Sequence, residues 1–280
     1  MAKRSFKKTF LTNFALTSGA LITILLVIVA LAAPLLAPQD PNWQETSRRL
    51  EGPSKEHLLG LDDLGRDVLS RVIYGARVSL RVGFSVVLLA STVGIFLGAV
   101  AGYFGGKVDT VIMRLSDMLL AFPGILLAIA LVAVLGPSLN NVVLALSVIG
   151  WVGYARLVRG QILKVRQMEF VTAAEALGAR SPRIIFHHLL PNVLSPVIVM
   201  ATLGLAGAIL AEAALSFLGL GVQPPTPSWG AMLTTGRQYL GLANHLAVYP
   251  GIAIMLAVMG LNFLGDGLID ALDPKYRKEM

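Results

Sequence analysis

The chain has 280 residues, of which 55% are hydrophobic and 14% charged, with a net charge of +7 and no cysteine; its mean hydropathy is +0.74. A soluble domain normally carries about 25% charged residues, so this composition excludes a water-facing exterior and sets most of the surface against lipid. The lack of cysteine removes disulfides, thiolate metal sites and cysteine nucleophiles, and the excess of Lys and Arg fits cytoplasmic loops better than a nucleic-acid surface.

A spanning helix needs about 20 mostly apolar residues. In chain order, candidates run over Leu16–Leu36, Val82–Phe104, Met118–Leu135, Asn141–Tyr154, Val193–Leu218 and Leu246–Ile269. The first is preceded by Lys3, Arg4, Lys7 and Lys8. Its apolar core is too long for a cleaved signal, so it is expected to be a retained span with a cytoplasmic amino terminus. The fourth is short and carries Gly150 and Gly153. Small residues spread through spans suit helix packing in lipid, where apolar side chains gain little by leaving their solvent. The expected fold is therefore an all-α integral membrane protein of about six transmembrane helices. Six spans return the carboxyl terminus, with Lys275, Arg277 and Lys278, to the cytoplasm.

This parity places 38–81 and 219–245 outside and 105–117 and 155–192 inside. The first outer segment strains the scheme, since it holds Arg48, Arg49, Arg66, Arg71, Arg77 and Arg81, and basic residues favour the cytoplasm. Within it, Leu64, Val68, Leu69, Val72, Ile73 and Ala76 recur at helical spacing. That pattern predicts an amphipathic interfacial helix before the second span, capped by Asp62 or Asp63. A carboxylate cation site at Asp62, Asp63 and Asp67 is the functional alternative, with few ligands at irregular spacing.

The 155–192 segment is the longest inner one. Met168 to Leu177 reads as a helix, with Glu169 favouring its amino end through the helix dipole and Gly178 suited to a left-handed cap. Ser181-Pro182 reads as a cap followed by proline at the first helical position. A second short helix is expected from Arg183 to Leu190, stopped by Pro191. Two short helices around a tight corner make a rigid knob for docking into another protein. The same rhythm occurs in DNA-reading helix-turn-helices, but a position between two spans leaves no room for their supporting core.

The string Thr172-Ala173-Ala174-x3-Gly178-x9-His188-x-Leu190-Pro191 resembles the cytoplasmic signature of bacterial ATP-binding-cassette importer permeases, Glu-Ala-Ala-x3-Gly-x9-Ile-x-Leu-Pro. Thr172 stands in place of the glutamate and His188 in place of the isoleucine; Glu169 and Glu175 are the nearby acids. Gly60-Leu61-Asp62-Asp63-Leu64-Gly65-Arg66-Asp67, Leu215-Ser216-Phe217-Leu218-Gly219-Leu220-Gly221, Pro224-Pro225 and Ser228-Trp229-Gly230 resemble the dipeptide and oligopeptide permeases of C type. Together the resemblance covers most of residues 10–275.

The resemblance implies a type I importer permease fold. Residues 1–81 would hold the cytoplasmic amino terminus, first span and external segment, and residues 82–280 the permease core. It implies four kinds of partner: a second related permease, two cytoplasmic ATP-binding subunits, an external or periplasmic substrate-binding protein, and membrane lipid. ATP and Mg would be bound by the partner subunits, with no cofactor and no nucleic acid on this chain. The surface that meets the ATPases would comprise Glu169, Thr172, Ala173, Ala174, Glu175, Gly178, Ala179, Arg180, Arg183, Leu190 and Pro191. Peptides, dipeptides first, are the implied substrate; nickel chelates, glutathione and longer oligopeptides are alternatives.

The residues agree that this chain is no enzyme: it has no G-x-x-x-x-G-K-[ST] phosphate loop and no convergent catalytic group. Glu212 is the acid set well inside a span, a functional candidate by default. It lies 19 residues past Val193, about 28 Å at 1.5 Å per residue, which suits a contact near an outer gate rather than a midplane proton relay. His187 and His188 are adjacent and cannot form an i, i+4 metal pair. The Gln223–Tyr239 segment, with Pro224, Pro225, Pro227 and Trp229, is expected to be a rigid external turn or a docking surface for the binding protein. An ion-coupled secondary transporter is the rival of a different class, but it would place ionisable groups at the midplane of repeated halves.

Overall fold

The computed structural model describes residues 13–272. The basic terminal clusters on which the expected placement of both termini rests lie outside the described residues. Helices occur in the order α1 (Phe14–Leu31), α2 (Ala33–Leu36), α3 (Val68–Phe104), α4 (Gly106–Leu120), α5 (Gly124–Leu135), α6 (Leu139–Val165), α7 (Glu169–Ala176), α8 (Ser181–Phe217), α9 (Trp229–Gln238) and α10 (His245–Leu272). Among the described residues the only β pairing is an isolated antiparallel bridge, Leu61 to Asp67. Among the described residues five helices (α1, α3, α6, α8 and α10) are long and apolar enough to cross a bilayer, and there are six if the bent pair α4–α5 counts as one broken span.

The third span differs from expectation. Residues 118–135 are not one helix: α4 and α5 meet at 86° across Ala121-Phe122-Pro123. Proline disfavours helical backbone at the residue before it, which ends α4 short of Phe122. The 12 residues of α5 reach only about 18 Å, so α5 crosses only together with α4. The fourth span is longer than expected. α6 continues through Val165, and Arg156 and Arg159 therefore sit on helix, ion-paired to Asp117 and Asp109 of α4.

No separate interfacial helix precedes the second span. α3 runs unbroken for 37 residues, about 55 Å, and its amphipathic first turns are covered by protein: Val68 and Val72 pack with Met232 and Leu246. Gly75 does not break it, because the space beside this glycine is filled by the Trp229 ring, whose Nε1 donates to the Val72 carbonyl at 2.9 Å. The cap is Asp67 rather than Asp62 or Asp63; its Oδ2 accepts from the Ser70 amide at 2.7 Å.

A stripe of glycines fixes the central contact. Gly94, Gly98 and Gly102 of α3 meet Tyr154 with Trp151, Ala155 with Val158, and Ile162 of α6 in ascending order, so the two helices run parallel with α4–α5 returning between them. A Cβ on Gly98 would stand 2.5 Å from the Ala155 carbonyl oxygen. Only glycine allows this approach, and such small-residue contacts hold helices together in lipid. Gly150 and Gly153, which shorten the apparent apolar run of α6, receive Ala90 and Met200 in the same way. α1 packs antiparallel on α10, where Gly260 and Gly267 receive Ile22 and Leu16, and the Asn13 amide donates to Asp270 at 2.9 Å.

Residues 37–67 form a cap over one end of the bundle. Its chain is folded by backbone hydrogen bonds from Glu45 to Gly65, Leu50 to Asp62 and Leu61 to Glu51, and Gln39 is tied to the Ser70 hydroxyl of α3. Here three arginines that strained the topology find carboxylates. Arg48 pairs with Glu51 and Glu56, while buried Arg66 and Arg71 share Asp62 at 2.7 and 3.4 Å. The cap end also carries α9; the opposite end carries α7.

Candidate functional site

The knuckle between α6 and α8 begins where α6 stops at Val165. α7 is a two-turn helix with Glu169 in its first turn, and one side chain roots it: Val171 is fully buried against Ile184, Leu189, Val193 and Val165. The remaining residues of α7 are exposed apart from half-buried Ala174. Its end is a complete Schellman closure. The Gly178 amide donates to Glu175 O at 2.9 Å and the Ala179 amide to Ala174 O at 3.0 Å, so two carbonyls left open by the helix end are satisfied. Gly178 has φ +78°, and nothing lies within 4 Å of where its Cβ would be. Backbone conformation, not crowding, is what demands glycine here.

The second half of the knuckle departs from expectation. Ser181 does not cap; Arg180 is the N-cap, Ser181 opens the helix, and Pro182 sits in its first turn. Nor does Pro191 end a short helix. α8 runs from Ser181 straight into the membrane, with a π-helical stretch at Ile184–Leu189 directly ahead of the proline. Pro191 has no N–H for the His187 carbonyl, and its ring crowds that oxygen. Widening the turn, with the Leu190 amide reaching Ile185 O, carries the helix past the conflict. The knuckle is thus one exposed short helix joined by the tight, non-helical turn Leu177–Arg180 to a span.

Around this corner Thr172, Ala173, Glu175, Arg180, Arg183 and Pro191 are exposed, and Ala179 and Leu190 half-buried. Neither Arg180 nor Arg183 has an ion-pair partner among the described residues. This surface also has an apolar part that the signature residues do not include: Leu177 is 88% and Phe186 63% exposed. No spacing of apolar positions in the sequence marked these two for exposure. His188 faces Phe170 at 6.4 Å between ring centres, a packing contact, and no cluster of three metal-ligating side chains occurs among the described residues. The suspected cation site is closed by chemistry, since Asp62 is held by two arginines and the Asp67 Oδ1 meets His57 Nδ1 at 3.1 Å.

Glu212 lies apart from the knuckle, fully buried in the cap-end half of α8. Its Oε1 accepts from the Ser216 hydroxyl at 2.6 Å, Ser79 of α3 and Ser228 before α9 stand beside the same carboxyl, and its Oε2 has no hydrogen-bond partner among the described residues. The carboxyl thus joins three segments whose sequence positions are far apart.

Residues 94–278 match the family of binding-protein-dependent transport system inner membrane components. The chain belongs to that family. It is a multi-pass permease subunit of an ATP-binding-cassette importer, and the match takes in the glycine stripe, the knuckle and Glu212. The permease is 48% identical to the dipeptide transport system permease protein DppC of Alkalihalophilus pseudofirmus, over 98% of this chain and 90% of that one. It is 45% identical to the di/tripeptide transport system permease protein DppC of Pseudomonas aeruginosa, over 98% and 92%. The glutathione transport system permease protein GsiD of Pectobacterium atrosepticum is 44% identical, over 98% and 91%. These matches extend over the cap, which the family match omits. Among solved structures, the inward-facing MetNI methionine ABC transporter superposes with TM-score 0.58 at 19% identity, covering 72% of this chain and 96% of that one; this likeness establishes the fold.

Proposed function

We propose that this permease, paired with a related permease, imports dipeptides into the bacterial cytoplasm by alternating access, driven by two cytoplasmic ATP-binding subunits and supplied by an external binding protein. The cap end then faces outward and the knuckle inward, with both termini cytoplasmic. The chain itself hydrolyses nothing; ATP and Mg belong to the partners. The single observation that carries the mechanism is the knuckle: an exposed two-turn helix, rooted by Val171 and closed at Gly178, that a tight four-residue turn joins to a 37-residue membrane helix. ATP-driven closure of the partners would move α7, and α8 with it, so that contacts differ between the two states as any driven transition requires. Glu169, Thr172, Ala173, Ala174, Glu175, Ala179, Arg180, Arg183, Leu190 and Pro191 surround that contact, with Leu177 as its apolar centre. Glu212 would hold the outer ends of α3, α8 and the Ser228 turn together, near the external gate.

Identity to dipeptide permeases at 45% and 48% supports the substrate class. Glutathione is the second reading, favoured by relatives at 44% and 45%. The test is to reconstitute the four-subunit complex in liposomes with its binding protein and measure ATP-driven uptake of labelled alanyl-alanine and of glutathione. Preferential uptake of the dipeptide is expected; uptake of glutathione alone would replace the first reading with the second. In the same system Leu177→Asp is expected to leave the thermal stability of the permease within about 0.5 kcal/mol, as exposed positions do, while ATPase subunits are lost on purification. Retention of the ATPases and of uptake by that variant would remove α7 from the coupling path.

A further inference from the structure

A cavity of about 980 Å³ opens beneath the cap end, between α1, the cap-end half of α3, the Pro137–Leu139 turn and the Val222–Pro227 segment. Its size falls at the upper end of the roughly 300–1,000 Å³ of small-molecule sites. The wall is mainly apolar, with Val27, Leu31, Phe84 and Leu205 among its residues, and no carboxylate contributes to it. Two guanidinium groups do. Arg77 and Arg81 stand one turn apart on α3, both exposed, both lining the cavity, and Tyr74 extends the same face.

Their surroundings set them apart from the arginines higher on the same helix and cap. Arg66 and Arg71 are buried and share Asp62, and Arg48 meets Glu51 and Glu56. Among the described residues no carboxylate lies within ion-pair distance of Arg77 or Arg81. Counted from Val68, they lie about 14 and 20 Å along α3, well below the folded cap. A charge turned into a mainly apolar cavity at the mouth of the apolar run Val82–Phe104 is costly unless it meets water or a partner. Two arginines at i, i+4 repel each other on a helix, so the pair adds to the cost rather than relieving it. An anion placed between them would remove both penalties, and a guanidinium fork matches a carboxylate with two parallel hydrogen bonds.

We infer that Arg77 and Arg81 form a carboxylate-binding station in the outer half of the substrate path, which receives the terminal carboxylate of the peptide as the binding protein releases it. This rests on the peptide reading above. The pair would draw the anionic end of the substrate into an otherwise apolar vestibule, and the apolar wall would tolerate varied side chains. Binding here is transient, because a station on a path must release as well as capture.

The test uses the reconstituted complex with its binding protein and labelled alanyl-alanine as the probe. Three readouts are taken on the wild type, R77Q/R81Q and R77K/R81K: uptake, binding-protein-stimulated ATP hydrolysis, and subunit stoichiometry of the purified complex. In R77Q/R81Q, uptake is expected to fall about tenfold, the scale of losing a charged hydrogen bond, with stoichiometry intact and ATP hydrolysis within about twofold. R77K/R81K, which keeps the charge without the fork, is expected to recover at least about a third of wild-type uptake. Wild-type uptake by R77Q/R81Q overturns the station. So does a glutamine variant whose complex falls apart, since the arginines would then be contacts to the second permease, and so does a lysine variant as impaired as the glutamine one. If the wild-type complex takes up no peptide, the substrate reading fails and takes the station with it, an outcome distinct from the others.

Discussion

At Gly178 the chain needs φ +78° with open space around the missing Cβ, so the effect of any replacement is conformational strain alone. A left-handed residue with a Cβ costs about 1–2 kcal/mol, less for asparagine, whose short side chain tolerates that region. Gly178→Asn is therefore expected to retain most uptake, Gly178→Ala less, and Gly178→Val least, with bound ATPase falling in the same order. If the three variants transport alike, the Schellman closure does not matter for coupling. This residue was legible in the sequence, as glycine after a helical run between spans. Leu177 beside it was not, because a pattern of apolar positions cannot say which of them a partner rather than the fold will cover.

Asp63 in the cap allows a second residue-scale test. Burial, with the neighbouring charge of Asp62, pushes its carboxyl above the ordinary 3.8. A group whose pKa is raised on folding favours the folded state in its protonated form, and that benefit is lost as pH rises through the folded value. At neutral pH the ionised Asp63 is thus a penalty. Asp63→Asn is expected to melt at a higher temperature than wild type at pH 7, with the gap closing as pH falls toward 3.8. A variant that melts below wild type at pH 7, by a deficit that shrinks on acidification, would show instead that the carboxylate is a favourable partner of Arg66, whose Nη2 stands 3.5 Å away.

The elements were recovered unevenly, for reasons visible in particular residues. Apolar runs located α1, α10 and the far end of α8 closely, while the start of α8 at Ser181 was missed because Pro191 reads as a stop. α3 was divided because its first turns are amphipathic, a pattern that reads as interfacial when the covering surface, Trp229 and Met232, lies about 160 residues away in sequence. α4 and α5 were misread because Met118–Leu120 are apolar on a helix that turns away at Pro123. The parallel packing of α3 on α6 was hidden altogether, although Gly94-x3-Gly98-x3-Gly102 carried it. Gly98→Leu is expected to force the two helices apart and destabilise the permease by about 1–3 kcal/mol or more, the cost of overpacking. Gly105→Leu makes a poor control, since φ is +64° there. Gly160→Leu, with nothing within 4 Å of its Cβ position, is expected to leave the melting temperature close to wild type. Equal melting temperatures for Gly98→Leu and Gly160→Leu would refute the stripe.

For the whole molecule, the cap and the knuckle must lie on opposite sides of the membrane if a binding protein is to deliver at one and an ATPase to push at the other. Basic residues alone argue poorly for this, because Arg48, Arg66 and Arg71 gather in the cap that is proposed to face outward. Their pairing resolves the conflict: Asp62, Glu51 and Glu56 hold these arginines in a folded unit, whereas Arg180 and Arg183 at the knuckle have no ion-pair partner among the described residues. The native chain contains no cysteine, so single-cysteine variants report position without background. Leu58→Cys in the cap, where the leucine is 61% exposed, is expected to react with a membrane-impermeant maleimide added to intact cells. Glu175→Cys on α7 is expected to react only after the membrane is opened, and to be shielded again once the ATPase subunits are co-expressed. That second protection is decisive, because a topology with the knuckle outside would label Glu175→Cys in intact cells, and a knuckle that meets no ATPase would label equally with or without it.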